Sequence, residues 1–101
     1  MGVGMGKVLY IRESHNNAFR VERVFDIAGR VILHGVVTSG RIEPGMLGEV
    51  NGKEYMIESI EVRNQRIDYL LEGEEGDLII KGMKAAKIEE DDFSPGQILT
   101  F

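Results

Sequence analysis

The distribution of glycine constrains the fold of this chain most strongly. Thirteen glycines are spread along 101 residues, and most lie between short runs rich in Val, Ile, Leu and Tyr. Glycine adopts the positive φ angles of tight turns, whereas β-branched and aromatic residues favour strands. Short apolar runs separated by turn residues at intervals of about eight to twelve positions are typical of all-β sandwiches and barrels. The sequence therefore predicts one all-β domain spanning residues 1–101.

The apolar runs define the expected strands, and one segment is predicted to be a short helix. Residues 1–17 are expected to contribute either an extra N-terminal strand or a flexible arm, and the helix is Met83–Glu90. The predicted strands are Lys7–Arg12, Phe19–Ile27, Val31–Thr38, Met46–Val50, Lys53–Val62, Arg66–Leu71, Asp77–Lys81 and Gln97–Phe101.

The second of these strands contains a conflict in its alternation. Phe19, Val21, Phe25 and Ile27 fall on one face, and the same register would bury Arg23. A charged side chain is rarely buried without a partner, so the sequence predicts a β-bulge or a barrel-end position at Arg23.

Three further signals concern glycine. Gly35 interrupts an otherwise β-branched run, which indicates a bend or a close backbone approach. Pro44-Gly45 suits a type II turn, and Asn51-Gly52 is a strong signal for a two-residue hairpin.

Charge and composition exclude several functions. The net charge of −5 disfavours non-specific binding of nucleic acid, so any RNA contact must be local. There is no cysteine and no G-x-x-x-x-G-K-[ST] segment, which leaves no thiolate site and no phosphate cradle for a nucleotide. No apolar run is long enough for a membrane span, and we expect a cytoplasmic protein.

No residue pattern in the sequence indicates a catalysed reaction, a bound cofactor or a metal site. Neither His15 nor His34 has the neighbours of a catalytic base, and His34 lies in an apolar run typical of a core or barrel-mouth residue. The acidic run Glu89–Asp92 lacks the ligand spacing of a calcium loop and is interpreted as a solvated turn. We therefore expect no enzyme.

Five basic residues are the candidate nucleic-acid contacts. All are predicted at turns or strand ends, where a barrel presents side chains to a partner, and arginine forks suit phosphate oxygens. Scattered surface charge is the alternative, because the sequence does not show whether these side chains converge. The residues are Arg30, Arg41, Arg63, Arg66 and Lys81.

The stretch Phe19–Gly45, FRVERVFDIAGRVILHGVVTSGRIEPG, resembles the opening of domain II of translational GTPases, with a spacing closest to the ribosomal translocase type. Three later segments are similar to strands of the same family, and together the resemblance covers about residues 19–100. These segments are Met56–Glu61 (MIESIE), Glu75–Gly82 (EGDLIIKG) and Asp92–Leu99 (DFSPGQIL). The sequence departs from the family in a longer Arg66–Leu71 segment, and because these 101 residues contain no GTPase motif we expect a stand-alone barrel.

The resemblance implies a closed antiparallel Greek-key barrel of six to seven strands. In the family this barrel packs on the GTPase domain and touches ribosomal RNA or the acceptor end of tRNA. Arg30 matches the arginine of the family's Gly-Arg turn, on the side that faces ribosomal RNA in translocases.

Two functions follow as hypotheses. The first is a stand-alone barrel in translation or RNA metabolism that contacts structured RNA through a local basic face led by Arg30. The second is a protein-interaction or homo-oligomerising barrel without an RNA ligand, which uses apolar surface near Tyr55, Tyr69 or Met83.

Overall fold

The computed structural model describes residues 16–101, and within them the chain forms strands, turns and one short 3-10 helix. The predicted strand Lys7–Arg12 and nearly all of the predicted N-terminal arm lie outside these residues. Within the described part, no helix is long and apolar enough to cross a membrane. The strands are β1 (Ala18–Ile27), β2 (Arg30–Ser39), β3 (Arg41–Ile42), β4 (Leu47–Val50), β5 (Lys53–Val62), β6 (Gln65–Ile67), β7 (Leu70–Leu71), β8 (Glu75–Gly82) and β9 (Ile98–Thr100).

The strands form a nearly closed antiparallel barrel. The main sheet has the order β4-β5-β8-β2-β1-β9, β6 pairs with β5, and β3 and β7 form a separate two-stranded sheet. Residues of the two edge strands, β4 and β9, line one cleft of about 460 Å³, which marks the seam of the barrel. The expected fold class is confirmed, with this seam as the departure from full closure.

The core is apolar, and its largest fully buried side chain is a tyrosine. Tyr55 is 1% exposed and makes edge-to-face contacts with Phe93 and Phe101, at ring-centroid distances of 5.6 and 6.1 Å. Burial disfavours the phenolate and raises the pKa of Tyr55. The aliphatic core around these rings includes Leu33, Ile42, Ile57, Ile60, Leu70 and Leu78.

The predicted bulge lies in β1. The β1–β2 register shifts between Val21 and Arg23, so Val21 lies opposite Gly35, Arg23 lies opposite His34, and Glu22 is the additional residue. This insertion reverses the alternation, and Val24 packs against the core beyond it. The prediction that Phe25 and Ile27 share the buried face of Phe19 is therefore wrong: they are 37% and 58% exposed.

Tight turns connect the strands as the glycine pattern indicated. The hairpin at Asn51-Gly52 is confirmed, with φ angles of 51° and 76°. Ala28-Gly29 and Arg63-Asn64 also form two-residue connections with positive φ at both positions, which is the geometry of type I′ turns.

Residues 83–90 do not form the predicted helix. Lys84 and Ala85 have φ angles of 56° and 63°, which no right-handed helix accommodates, and only Glu90–Asp92 form a 3-10 turn. The segment instead packs along β5: the Met83 amide donates to the Glu54 carbonyl, and the Lys53 ammonium donates to the Lys87 carbonyl. These tertiary hydrogen bonds outweigh the weak helix tendency of two turns without a side-chain cap.

Two smaller differences concern strand lengths. The predicted strand Arg66–Leu71 is divided into β6 and β7, and the short strand β3 was not among the predicted strands. Both β3 and β7 have only two residues, which is too short for a hydrophobic alternation to be recognised.

Gly35 supports the close packing of β1 on β2, as its position predicted. A Cβ at this residue would collide with the Arg20 carbonyl oxygen and lie 2.7 Å from the nearest atom of the Phe19 ring. We expect Gly35→Ala to lower the free energy of unfolding by about 1–3 kcal/mol or more, because neither backbone nor buried ring can move freely. Urea denaturation measures the loss.

Gly29→Ala is the comparison for this variant. Gly29 has a φ of +82° and nothing near its missing Cβ, so the substitution should cost only about 1 kcal/mol of backbone strain. Equal losses for the two variants would contradict a steric role of Gly35.

Asp92 fastens the 3-10 turn to the β4–β5 hairpin. Its carboxylate accepts hydrogen bonds from the Asn51 amide at 3.0 Å, the Glu89 backbone amide at 2.9 Å and the Lys53 ammonium at 2.9 Å. These donors lower the pKa of Asp92 to about 2. The interpretation of Glu89–Asp92 as a solvated turn is therefore wrong for Asp92, whose side chain is only 9% exposed.

This network predicts a defined acid sensitivity. The pKa of Asp92 is about 2 in the fold against an ordinary aspartate value of 3.8, so its stabilisation is complete above about pH 4 and disappears as the pH falls towards 2. The stability difference between wild type and Asp92→Asn should shrink over this range in thermal unfolding scans. The exposed neighbour supplies the control: Asp91→Asn should show no such convergence.

Candidate nucleic-acid interface

Two of the predicted basic residues lie side by side at one end of the barrel. Arg30 is the first residue of β2, directly after the Ala28-Gly29 turn. Val31 pairs with Ile80 of β8, so the next step of the antiparallel register places Arg30 opposite Lys81. Val31 and Ile80 point into the core, and alternation directs Arg30 and Lys81 to the outer surface.

These two side chains share an open cleft of about 380 Å³ with a third cation. Lys87 comes from the irregular segment after β8, and Glu58 of β5 is the one carboxylate that lines the cleft. The Arg30 guanidinium lies 3.7 Å from a carboxylate oxygen of Glu58, and both side chains are well exposed. An exposed pair of this kind is weak and salt-sensitive, so Arg30 stays accessible to another anion. We call this site the Arg30 cleft.

The cleft brings together groups suited to phosphate. Its lining has three cationic side chains against one anionic side chain, on a protein whose net charge is −5. A guanidinium can bind two phosphate oxygens at once, and the two ammonium groups add point charges beside it. The arrangement can hold a phosphate backbone at one position without a basic surface elsewhere.

Arg63 and Arg66 lie at the other end of β5. Lys81 is opposite Met56, whereas Arg63 follows Val62 at the end of the strand, about 20 Å away at the usual rise of a β-strand. Arg66, on β6, lies opposite Glu61 of β5. Arg63 lines a separate cleft together with His34, Glu61, Glu75 and Asp77, where carboxylates predominate.

Arg41 occupies a third position and already has partners. It lies in the small β3–β7 sheet, and its guanidinium carbon is 4.4 Å from the centre of the Tyr69 ring. Its Nε atom also contacts the carboxylate of Glu43. The five predicted basic residues therefore divide into three locations, and Arg30 and Lys81 are the pair that lines one mainly cationic cleft.

The sequence did not indicate two members of the Arg30 cleft. Lys87 was assigned to the helix that does not form. Glu58 is an exposed residue between buried residues of β5, and it belongs to no recognisable sequence motif. The alternation of β5 up to Ile57 indicates that Glu58 points outward, but the β5–β8 register shifts between Ile57 and Ser59, so regular pairing would not have placed it in this cleft.

The apolar surface proposed for a protein partner is only partly present. Tyr55 is in the core and is not available, and Met83 is half-buried. Tyr69 and Leu71 are 44% and 43% exposed, and Tyr69 lines a cleft of about 660 Å³ together with Val62, Ile67 and Glu74.

The comparisons with known proteins support the fold. No protein-family model matches the sequence, and no curated protein matches it. A solved structure, that of the translation elongation factor SelB from Methanococcus maripaludis in its apo form, is similar at 18% sequence identity with a TM-score of 0.69. The similarity covers 93% of this chain and 20% of that chain. The chain thus has the barrel fold of one part of a translation elongation factor, as the resemblance to domain II implied.

Proposed function

We propose that this chain is a non-catalytic binding module related to translation factors, which contacts structured RNA through the Arg30 cleft. The observation that carries the proposal is the convergence of Arg30, Lys81 and Lys87 around one cleft with a single carboxylate. The shared barrel fold and the match of Arg30 to the family's Gly-Arg turn support it.

The rest of the surface favours a local and oriented contact. Seventeen acidic against twelve basic residues repel phosphate on average, so a long RNA segment cannot spread over the barrel. Three phosphate contacts would instead give modest affinity with a salt dependence of about two to three logarithmic units per decade of salt. Ribosomal RNA and tRNA are the expected ligands.

Neutralising the cleft should weaken RNA binding. We expect Arg30→Ala and Lys81→Ala each to reduce affinity about fivefold at low salt and to lower the slope of log K against log salt by about one, because each substitution removes one phosphate contact. Fluorescence anisotropy with labelled tRNA and with fragments of ribosomal RNA measures both quantities.

Arg41→Ala is the matched control for charge. It removes one arginine from the separate β3–β7 surface and should leave both the affinity and the slope nearly unchanged. If the unmodified chain does not bind either RNA at low salt, the proposal is wrong. If Arg41→Ala weakens binding as much as Arg30→Ala, the Arg30 cleft is not the site.

Removing the single carboxylate should have the opposite effect. Glu58→Gln frees the Arg30 guanidinium, which lies 3.7 Å from that carboxylate, and raises the local positive charge by one. We therefore expect tighter RNA binding, by about threefold to fivefold at low salt. The same titrations measure this gain, and Glu90→Gln, an exposed acid outside the cleft, controls for the change in net charge.

A protein-binding barrel is the second candidate, because Tyr69 and Leu71 are exposed apolar residues and Tyr69 lines a cleft of about 660 Å³. Aromatic and aliphatic groups around a concave site are typical of protein interfaces. A complex that persists in high salt and after nuclease treatment, and that Tyr69→Ser disrupts, would favour this function over RNA binding.

A further inference from the structure

We propose that the outer surface of β1, β2 and β8 carries a site for a divalent transition-metal ion such as Zn²⁺, formed by Glu22, His34 and Glu75. One nitrogen and two carboxylate oxygens of these residues lie within 4.8 Å of one another. The proposal concerns a different part of the surface from the Arg30 cleft and does not depend on RNA binding.

The backbone explains why these three side chains meet. His34 points outward from the centre of β2, between buried Leu33 and Gly35. Two residues of β8 face this part of β2: Asp77 lies opposite His34, and Glu75 lies opposite Val36. Glu22 is the additional residue of the β1 bulge, where it stands between the partners of Gly35 and His34. No sequence motif records this set, because each ligand comes from a different strand.

Asp77 fixes the imidazole of His34 in the orientation that a metal ligand requires. The His34 Nδ1 atom is 2.7 Å from a carboxylate oxygen of Asp77. A carboxylate accepts a hydrogen bond from Nδ1–H, and a neutral ring protonated at Nδ1 presents the lone pair of Nε2 on its other side. Metal-bound histidines are usually held by such a carboxylate, which also makes the ligating nitrogen more basic.

The Nε2 atom faces the two glutamates across a gap that suits an ion. It lies 4.0 Å from Glu22 Oε1 and 3.8 Å from Glu75 Oε1. Ligand atoms around a tetrahedral Zn²⁺ are about 3.4 Å apart, given metal–ligand distances of about 2.1 Å. The glutamate side chains, 37% and 63% exposed, can close this difference by small rotations.

The donor set indicates the class of metal. One imidazole and two carboxylates suit Zn²⁺ and its neighbours in the first transition row, whereas Mg²⁺ and Ca²⁺ favour oxygen donors alone. Three protein ligands leave a coordination position for water. Because the site is exposed, we expect the bound ion to exchange with solvent. The ion pair of Glu22 with Arg20, at 3.4 Å, uses Oε2 of Glu22 and leaves Oε1 for the metal.

A competing arrangement uses the same side chains without a metal. A protonated His34 could be held directly by Asp77, Glu22 and Glu75 as an imidazolium among three carboxylates. The two arrangements differ in their response to Zn²⁺, because a metal ligand gives up the lone pair of Nε2 to the ion.

The test uses the full chain with His15→Gln, so that His34 is the single histidine. Calorimetric titration with ZnCl₂ in a buffer that does not bind metal should show one saturable site. The imidazole ¹⁵N resonance of His34 Nε2 should shift as Zn²⁺ is added and should stop moving at saturation.

Matched variants identify the ligands. Glu75→Gln removes a proposed ligand, and Asp77→Asn removes the carboxylate that orients His34. Each substitution should weaken Zn²⁺ binding tenfold or more. Glu72→Gln, which removes an equal charge from the turn before β8, should leave the affinity unchanged. Amide NMR spectra without metal confirm that the variants keep the fold.

Three results would overturn the proposal. They are the absence of saturable Zn²⁺ binding, equal affinity for Glu75→Gln and the unsubstituted site, and binding that leaves the His34 resonances unmoved. A ring protonated on both nitrogens at neutral pH and indifferent to Zn²⁺ would establish the imidazolium arrangement instead.

Discussion

The packing of β1 against β2 at Gly35 is the constraint on which the rest of the barrel depends. Phe19 and the Arg20 carbonyl approach the β2 backbone so closely that only glycine fits. Directly beside this contact the β1 bulge adds Glu22 and changes the face that the following residues occupy. The same few residues thus determine how tightly two strands pack, which side chains of β1 enter the core and which acidic group stands beside His34.

The sequence predicted some of these features completely and others only in part. Gly35, Asn51-Gly52 and Arg23 each break a local pattern in a way that has few structural solutions, so a close approach, a hairpin and a bulge could be inferred and were found. The bulge was predicted without its consequence: once an extra residue enters a strand, the alternation beyond it reverses, and Phe25 and Ile27 become exposed. The helix over residues 83–90 failed for another reason, since Lys84 and Ala85 form a left-handed turn and hydrogen bonds hold the segment against β5.

The candidate sites were less accessible to sequence analysis, because they are made by pairing between distant strands. Arg30 and Lys81 are 51 positions apart and meet only through the β2–β8 register. Lys87 joins them because its segment is not helical. The cluster around His34 likewise needs three strands and a bulge. A residue pattern predicts which side chains point outward, but only strand order and register determine which of them are neighbours.

Strand β2 separates the two kinds of charge on this surface. Arg30 begins the strand in a mainly cationic cleft, and His34 follows four residues later among Glu22, Glu75 and Asp77. At the rise of a β-strand the two positions are about 13 Å apart, which exceeds the Debye length of about 8 Å at physiological salt. The carboxylates around His34 would therefore repel an RNA phosphate at the Arg30 cleft only weakly, while they would oppose extension of the same RNA along β2. A divalent ion at His34 would cancel much of this repulsion. The ion would then have little effect on how tightly the Arg30 cleft binds a phosphate. It would instead influence how far a bound RNA extends across the barrel.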